Sequence, residues 1–358
     1  MNPLRVVWYG IYDPAYPRND ILLRGLRAAG AEVIEIHADW KDPARHRRLR
    51  DGLRALRDDY DLVYAAYPAT MPAIWAKSIT RKPVVMDALY SMHDAVVHDR
   101  QEVPWYHPRA LQLWLLDWVS ALLADYLIVD TLQHAAYWAR FPFVRRAKMQ
   151  VIYTGVQDHI FFPDLSPRTH DDFLVSFHGF YIPLQGVDKI AEAAALLAGH
   201  SEIRIRLIGS GQLSKKVDAV IEKHSLKNLE QTGRLPAAEV AARSKEADVV
   251  LGVFGDTEKA RRVIPNKVYE GLALKKPVIT MDAPSVREIF SENELMLIDN
   301  TPQAIADAIL TLAADPARAA RLAETGYQTV VQHYSPKPLG KELYQFLCKV
   351  TGRAVDSL

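Results

Sequence analysis

The stretch RRVIPNKVYEGLALKKPVI, residues 261–279, sets a proline ahead of a helical run and closes on Lys-Lys-Pro before a strand-forming run. Proline suits the first position of a helix, where its missing N–H costs nothing, so Pro265 is expected there. Residues three and four apart share a helix face, which puts Glu270 behind Asn266 and Lys267. The free N–H groups and positive dipole end of such a helix attract an anion, and Lys267 adds a full charge. A carboxylate one turn inward can accept hydrogen bonds from hydroxyls carried by that anion. A phosphate with a ribose behind it meets both demands, so the pattern predicts a nucleoside diphosphate held by Asn266, Lys267, Val268 and Glu270. The plainer alternative is a capped surface helix bearing an Asn266–Glu270 pair.

A second candidate is IRIRLIGSGQLS, where Gly209 and Gly211 directly follow a strand. Glycines there let backbone approach a phosphate or sugar. Ser214 stands where a dinucleotide fingerprint has its third glycine, so a dehydrogenase motif is incomplete and a tight strand-to-helix turn is the alternative. In WYGIYDPAYPRND, Gly10 follows the first strand, Asp13 and Arg18 share its loop, and Asn19 or Asp20 offers an N-cap. In VVMDALYSMHDAVVHDR, Asp87 ends a strand and His93, Asp94, His98, Asp99 and Arg100 follow. Either histidine could face a site, and each could equally be structural.

These residues need a scaffold, and the sequence supplies one. Short strand-like runs alternate with helical patterns from end to end, which predicts an α/β protein with parallel sheets covered on both faces. The alternation lapses once, in VQDHIFFPDLSPRTHDD, a stretch rich in Pro and Asp. The expected organisation is a first doubly wound domain over 1–156, a linker over 157–172, a second domain over 173–335, and a C-terminal helix over 336–358 packing back on the first. Two Rossmann-like domains would then face each other across a cleft, with ligands outside the carboxyl ends of the strands. A chain of 358 residues suits two such domains.

Composition narrows the function. Hydrophobic residues make up 49% and charged residues 24%, as in globular proteins. A net charge of +1 gives no general attraction to nucleic acid, and none is expected as a partner. The single cysteine, Cys348, cannot close an internal disulfide, so cytoplasm is the expected compartment. LQLWLLDWVSALLADYLIVD contains Asp117 and Asp125 and lacks the ~20 clean apolar residues of a membrane span. The D-x-D at Asp59–Asp61 leads straight into a strand and reads as a polar strand entrance. No histidine pair has ligand spacing beside a suitable acid, so no metal is expected.

FHGFYIPLQGVDKIAEAAALL, GRLPAAEVAARSKEADVVL and NKVYEGLALKKPVITMD together resemble the donor domain of the GT-B glycosyltransferases, family 4 (group 1) in particular. The resemblance spans roughly residues 151–335 well and the first half more loosely. It implies a retaining, metal-independent hexosyltransferase working in polysaccharide or glycolipid biosynthesis. Such an enzyme takes a nucleotide sugar as substrate, with no separate cofactor, and a sugar, lipid-linked or small-molecule hydroxyl as acceptor. By this resemblance Glu270 is the ribose-binding second glutamate of the family's pair, Arg234 and Leu235 lie beside the base, and Gly209 and Gly211 lie near the nucleotide. Gly10, His93 or His98, Asp87 and Asp99 fall on the acceptor side. The sequence also departs from the family. Arg262 replaces the first glutamate, and Phe180 and Gln185 replace the Arg and Lys that grip the diphosphate. A leaving diphosphate still needs positive charge, so Arg262 and Lys267, with Lys259 beside them, are expected to take over. A nucleotide-sugar epimerase on the same fold, and an inactive nucleotide-sugar binder, are the alternatives.

KDPARHRRLRDGLRALR carries Lys41 and six arginines against two aspartates, and EVPWYHPRALQLWLLDWVSALL is rich in Trp and Leu. A basic helix near an aromatic-apolar segment suits peripheral contact with the inner face of an anionic membrane. A solvated helix and a core or dimer helix explain the same residues.

Overall fold

Val-, Ile-, Leu- and Tyr-rich runs become strands buried on both faces, and the amphipathic runs between them become the covering helices. The computed structural model describes residues 2–164 and 171–354. The chain divides into two compact units, residues 1–155 with 335–358, and residues 156–334.

The first unit runs β1 (Arg5–Gly10), α1 (Pro17–Ala28), β2 (Glu32–His37), α2 (Arg45–Ala55), β3 (Leu62–Ala65), α3 (Thr70–Ile79), β4 (Val84–Asp87), α4 (Pro108–Leu123), β5 (Tyr126–Val129), α5 (Leu132–Trp138) and β6 (Met149–Val151). Its sheet has the order β2-β1-β3-β4-β5-β6 with every neighbouring pair parallel. β3 and β4 are buried along their whole length, as continuous apolar runs in a parallel sheet should be. Val7, Val63, Met86 and Leu127 pack in one core with Leu53 of α2, Ala76 of α3 and Trp138 of α5. α1 begins at Pro17 with Tyr16 as its cap, so neither Asn19 nor Asp20 caps it. The Asn19 amide instead donates to the carbonyls of Asp13 and Tyr67.

The second unit runs β7 (Phe173–His178), α6 (Val187–Leu196), β8 (Ile203–Ile208), α7 (Ser214–His224), β9 (Leu229–Thr232), α8 (Ala237–Lys245), β10 (Val249–Leu251), α9 (Asn266–Ala273), β11 (Val278–Met281), β12 (Met296–Ile298), α10 (Pro302–Ala314) and α11 (Pro316–His333). Its parallel sheet has the order β12-β11-β10-β7-β8-β9. The chain winds outward from β7 to β9, then returns to β7's other side as β10. That reversal makes the carboxyl ends of β7 and β10 a topological switch point, where doubly wound sheets open a crevice for ligands.

The last helix, α12 (Pro336–Val350), belongs to the first unit and crosses α1. Gly25 and Gly340 meet at that crossing, where a Cβ on Gly25 would lie 2.7 Å from the Gly340 Cα. The expected linker differs from what the fold uses. Val156 donates to the Tyr334 carbonyl at 3.0 Å and Phe161 is buried, so residues 156–164 pack as part of the second unit. Residues 165–170 of that stretch lie outside the described residues, as do 355–358 of the expected C-terminal helix.

Candidate active site

α9 starts one residue later than Pro265, which stays extended (φ −65°, ψ 150°) and acts as the cap. A proline fixes φ alone, and ψ here keeps it out of the helix. The helix presses closely on the sheet: a Cβ at Gly271 would lie 2.7 Å from Val278 and 3.0 Å from Val250. Close packing turns Lys267 and Glu270 inward, and both are buried, at 4% and 7% exposure. The Asn266–Glu270 surface pair is therefore not what forms.

The Lys267 ammonium reaches the β7–α6 loop. Nζ donates to Oε1 of Gln185 and lies 4.2 Å from the centre of the Phe177 ring. Gly179 makes room for it, since a Cβ there would sit 2.8 Å from Nζ. Burial pushes the Lys267 pKa down to about 7, against the opposing pull of the Glu270 charge. A cation thus arrives from α9 at the very side chain, Gln185, where the family pattern carries a lysine.

Glu270 is held from the strand. Its Oε2 lies 2.7 Å from Nε2 of His178, the last residue of β7, and His178 is itself 6% exposed. His178 was not singled out from the sequence, although a histidine ending a strand just before Gly179 is visible in SFHG. Val268, expected to help hold the nucleotide, does not: its side chain is wholly buried and its amide donates to the Pro265 carbonyl at 3.0 Å. It lies two residues from Asn266, which rotates it into the core.

Gly209 and Gly211 serve loop packing. A Cβ on Gly209 would lie 1.9 Å from the Gly179 oxygen, and one on Gly211 would lie 2.7 Å from the Tyr181 oxygen. The β8–α7 loop therefore lies directly on the β7–α6 loop. Arg234, just after β9, is exposed and rests its guanidinium 4.4 Å from the centre of the Phe180 ring, with Leu235 half-buried beside it. Arg262 is buried in the turn before α9, where its amide donates to the carbonyl of the half-buried Lys259 at 3.0 Å. Asn266 is half-buried at the head of the helix.

In the first unit the expected residues separate. Asp87 does not line an open site: it is 1% exposed and accepts from Arg18 Nε at 3.0 Å and from the Tyr64 hydroxyl at 2.8 Å. Arg18 is fully buried and also donates to the carbonyls of Ile152 and Tyr153, so it ties β4 to the end of β6. Gly10 is buried at the end of β1 with φ +153°, a conformation that favours glycine. Asp13 is exposed and closes a turn on the Ala15 amide. The Asp59 and Asp61 carboxylates of the D-x-D brace Arg5, and Asp61 also takes Arg353, as a strand entrance would.

His93 and His98 do come together. The segment Asp94–Asp99 is a π-helical turn, whose wider pitch brings positions five apart onto one face. The two rings meet edge to face at 4.9 Å and line a cavity of about 150 Å³ with Trp114, Tyr137, Arg140 and Phe141. Burial and the neighbouring His98 charge lower the His93 pKa. Asp99 is 1% exposed and is not among the residues lining that cavity. Asp117, an acid inside the apolar α4, anchors the segment before this turn. It accepts from Ser91 Oγ at 2.7 Å and from the Met92 and His93 amides at 3.1 and 2.9 Å. Burial pushes its pKa up to about 6.

Comparison with known proteins bears on the family and the fold. Residues 161–329 match the family described as Glycosyl transferases group 1. The uncharacterized glycosyltransferase MJ1178 of Methanocaldococcus jannaschii is 29% identical over 164 residues, covering 45% of this chain and 43% of that protein. The match therefore spans less than half of that relative's length. Among solved structures, Alr3699/HepE of Anabaena in complex with UDP-glucose aligns over 97% of this chain and 100% of its own, with TM-score 0.73 and 15% identity. Sucrose-phosphate synthase of Thermosynechococcus elongatus aligns over 98% of this chain and 99% of its own, with TM-score 0.76 and 16% identity. At these identities the likeness is one of fold. The fold is that of the GT-B glycosyltransferases, and residues 161–329 match the group 1 glycosyltransferase family.

Proposed function

We propose that the protein is a family 4-like hexosyltransferase that moves a sugar from a nucleoside diphosphate sugar to a hydroxyl acceptor, with retention and with neither metal nor bound cofactor. The observation that carries this reading is the Lys267 ammonium on Gln185, with Glu270 one turn behind it on the same helix. In the reaction the bond between the anomeric carbon and the β-phosphate oxygen breaks, and the acceptor oxygen bonds to that carbon and gives up its proton. Negative charge collects on the departing diphosphate. A cation already fixed in a dry site stabilises that charge without reorganisation. Lys267 supplies it, with Arg262 in the preceding turn, and Glu270 accepts from the ribose hydroxyls. The likeness to group 1 enzymes supports retention and metal independence. Because Alr3699/HepE was solved with UDP-glucose, UDP-glucose is the first donor to try. The paired His93 and His98 offer ring nitrogens to the acceptor, Arg140 a cation and Trp114 an aromatic wall.

The test is a thermal-shift screen against nucleoside diphosphates and their sugars, since a ligand of the folded state raises the melting point by mass action. One nucleotide family should stabilise the wild type and stabilise Lys267→Met and Glu270→Gln markedly less. The stabilising donor is then incubated with and without acceptors, and release of nucleoside diphosphate and glycosylated product is measured. No shift with any nucleotide would refute the reading, and turnover of the donor alone to an isomer would favour an epimerase.

The protein works in the cytoplasm, on this reading, against the inner face of a membrane. Among the described residues no helix is long and apolar enough to cross one. Support comes from α4, which leaves Leu111, Leu115 and Leu122 exposed, and from exposed Trp105, Tyr106 and Phe143. Arg81 and Arg145 line the same groove as Leu122 and Phe143. Apolar side chains ringed by arginine suit an anionic bilayer. Sedimentation with phosphatidylglycerol vesicles, weakened by Phe143→Ser and by salt, is the expected result; equal recovery with and without vesicles would refute it.

A further inference from the structure

We infer that His178 is the positioning residue for Glu270 and thereby sets how strictly the nucleotide site demands an intact ribose. This rests on the reading of Glu270 as the ribose ligand. A carboxylate that receives a sugar diol must have its plane fixed before the ligand arrives; a freely rotating one loses much of the gain in ordering. On α9 itself Glu270 has rotatable bonds and the Lys267 charge beside it, which does not fix the plane of the carboxylate. The fixing contact comes from across the sheet. His178 Nε2 stands 2.7 Å from Glu270 Oε2, with both side chains buried. An ionised carboxylate only accepts, so Nε2 carries the proton and donates. Nδ1 then accepts, and Ser244 Oγ of α8 lies 3.5 Å from it, a long contact on the right atom. Phe161 lies nearly parallel to the imidazole, with ring centres 6.2 Å apart.

The location strengthens the argument. His178 is the last residue of β7 and Gly179 is the next, so one turn of chain fixes both partners of α9. Gly179 clears the space for the Lys267 ammonium, and His178 holds the Glu270 carboxylate. Phosphate cation and ribose acid are thereby set from a single strand end. An apolar side chain at position 178 could fill the same volume but would leave a buried carboxylate without its donor.

The experiment measures binding of uridine diphosphate and 2′-deoxyuridine diphosphate by calorimetry, in the full chain, alongside the melting temperature. A hydrogen bond from a hydroxyl to a charged group discriminates by about tenfold or more, so the wild type should prefer the ribose form by that ratio. His178→Asn, too short to reach Glu270, should bring the ratio close to one while leaving 2′-deoxyuridine diphosphate binding nearly unchanged. His178→Gln can still donate and should keep most of the preference. A purely structural role would weaken both nucleotides equally and leave the ratio alone. An unchanged ratio in folded His178→Asn overturns the inference while the nucleotide site stands. If uridine diphosphate does not bind, the same pairs are run with guanosine and adenosine diphosphates, and failure of the wild type to bind any of them overturns the reading of Glu270, and the inference with it.

Discussion

If Lys267 holds the diphosphate as proposed, the strength of that binding is a function of pH. The Lys267 ammonium is buried against Gln185, Phe177 and Gly179, and burial pushes its pKa from 10.5 to about 7, with Glu270 the charged group that opposes the shift. In the empty protein at pH 7 about half of the molecules carry the charge, and at pH 9 about one in a hundred. A diphosphate binds the charged form and draws the proton back, so each pH unit well above 7 costs about 1.36 kcal/mol of affinity, and the first unit above 7 somewhat less. Between pH 7 and pH 9 the dissociation constant should rise about fiftyfold, or ~2.3 kcal/mol, with the phosphates already ionised over that window. Titration calorimetry in two buffers of different ionisation enthalpy should show nearly one proton taken up per site at pH 8.5. Folding carries the opposite sign. The cost of burying this ammonium is fully present below about pH 7 and is relieved as pH rises toward 10.5, where the unfolded lysine also loses its proton. Relative to Lys267→Met, the empty wild type should therefore gain stability from pH 7 to 9 while it loses affinity. Because the variant keeps Glu270 and His178, the difference in slopes isolates Lys267. Equal pH slopes of affinity in wild type and Lys267→Met would refute the reasoning.

Two other substitutions probe the two units separately. Gly179→Ala adds a Cβ 2.8 Å from the Lys267 ammonium at φ +143°. It should weaken nucleoside diphosphate binding more than tenfold in calorimetry while costing about 1–2 kcal/mol of stability; unchanged affinity would remove Gly179 from the site. Arg18→Met leaves Asp87 buried without its cation. Urea denaturation should show a loss of about 3–5 kcal/mol in the first unit, and a loss below 1 kcal/mol would argue that the pair contributes little to holding β4 and β6 together.

The layered fold was legible because buried parallel strands such as LVYA and VVMD are unbroken apolar runs, and the helices between them are amphipathic. The pairing of Lys267 with Glu270 was legible because it depends on spacing within one helix. What the sequence concealed was contact across the fold. His178 reaches Glu270 over 92 positions, and Arg18 reaches Asp87 over 69, and no local pattern marks either partner. Asp87 looked available at a strand end because its occupant, Arg18, arrives from the first turn of α1. His93 and His98 looked like alternatives because five residues on an ordinary helix point apart, whereas the π-helical turn turns both to one wall. Val268 was misjudged for a related reason: the first turn of α9 has a core side as well as a ligand side, and only packing decides which is which.

The departures from the family pattern are best understood together. With Phe180 and Gln185 on the β7–α6 loop, that loop carries no cation at the two family positions, yet the Lys267 ammonium lands on Gln185 from α9. A lysine on an open loop keeps its water and its charge, and so offers a diphosphate the same attraction at any pH below about 10. A lysine set in the first turn of a close-packed helix gives up that water, and its charge becomes conditional. It is poised near neutrality, and a phosphate bound beside it, as proposed, would hold it as an ammonium. Moving the cation by one element therefore does more than restore a lost contact. On the proposed function it would couple proton uptake to donor binding, and it places Lys267 three residues from Glu270, so that one short helix carries both of the proposed nucleotide ligands.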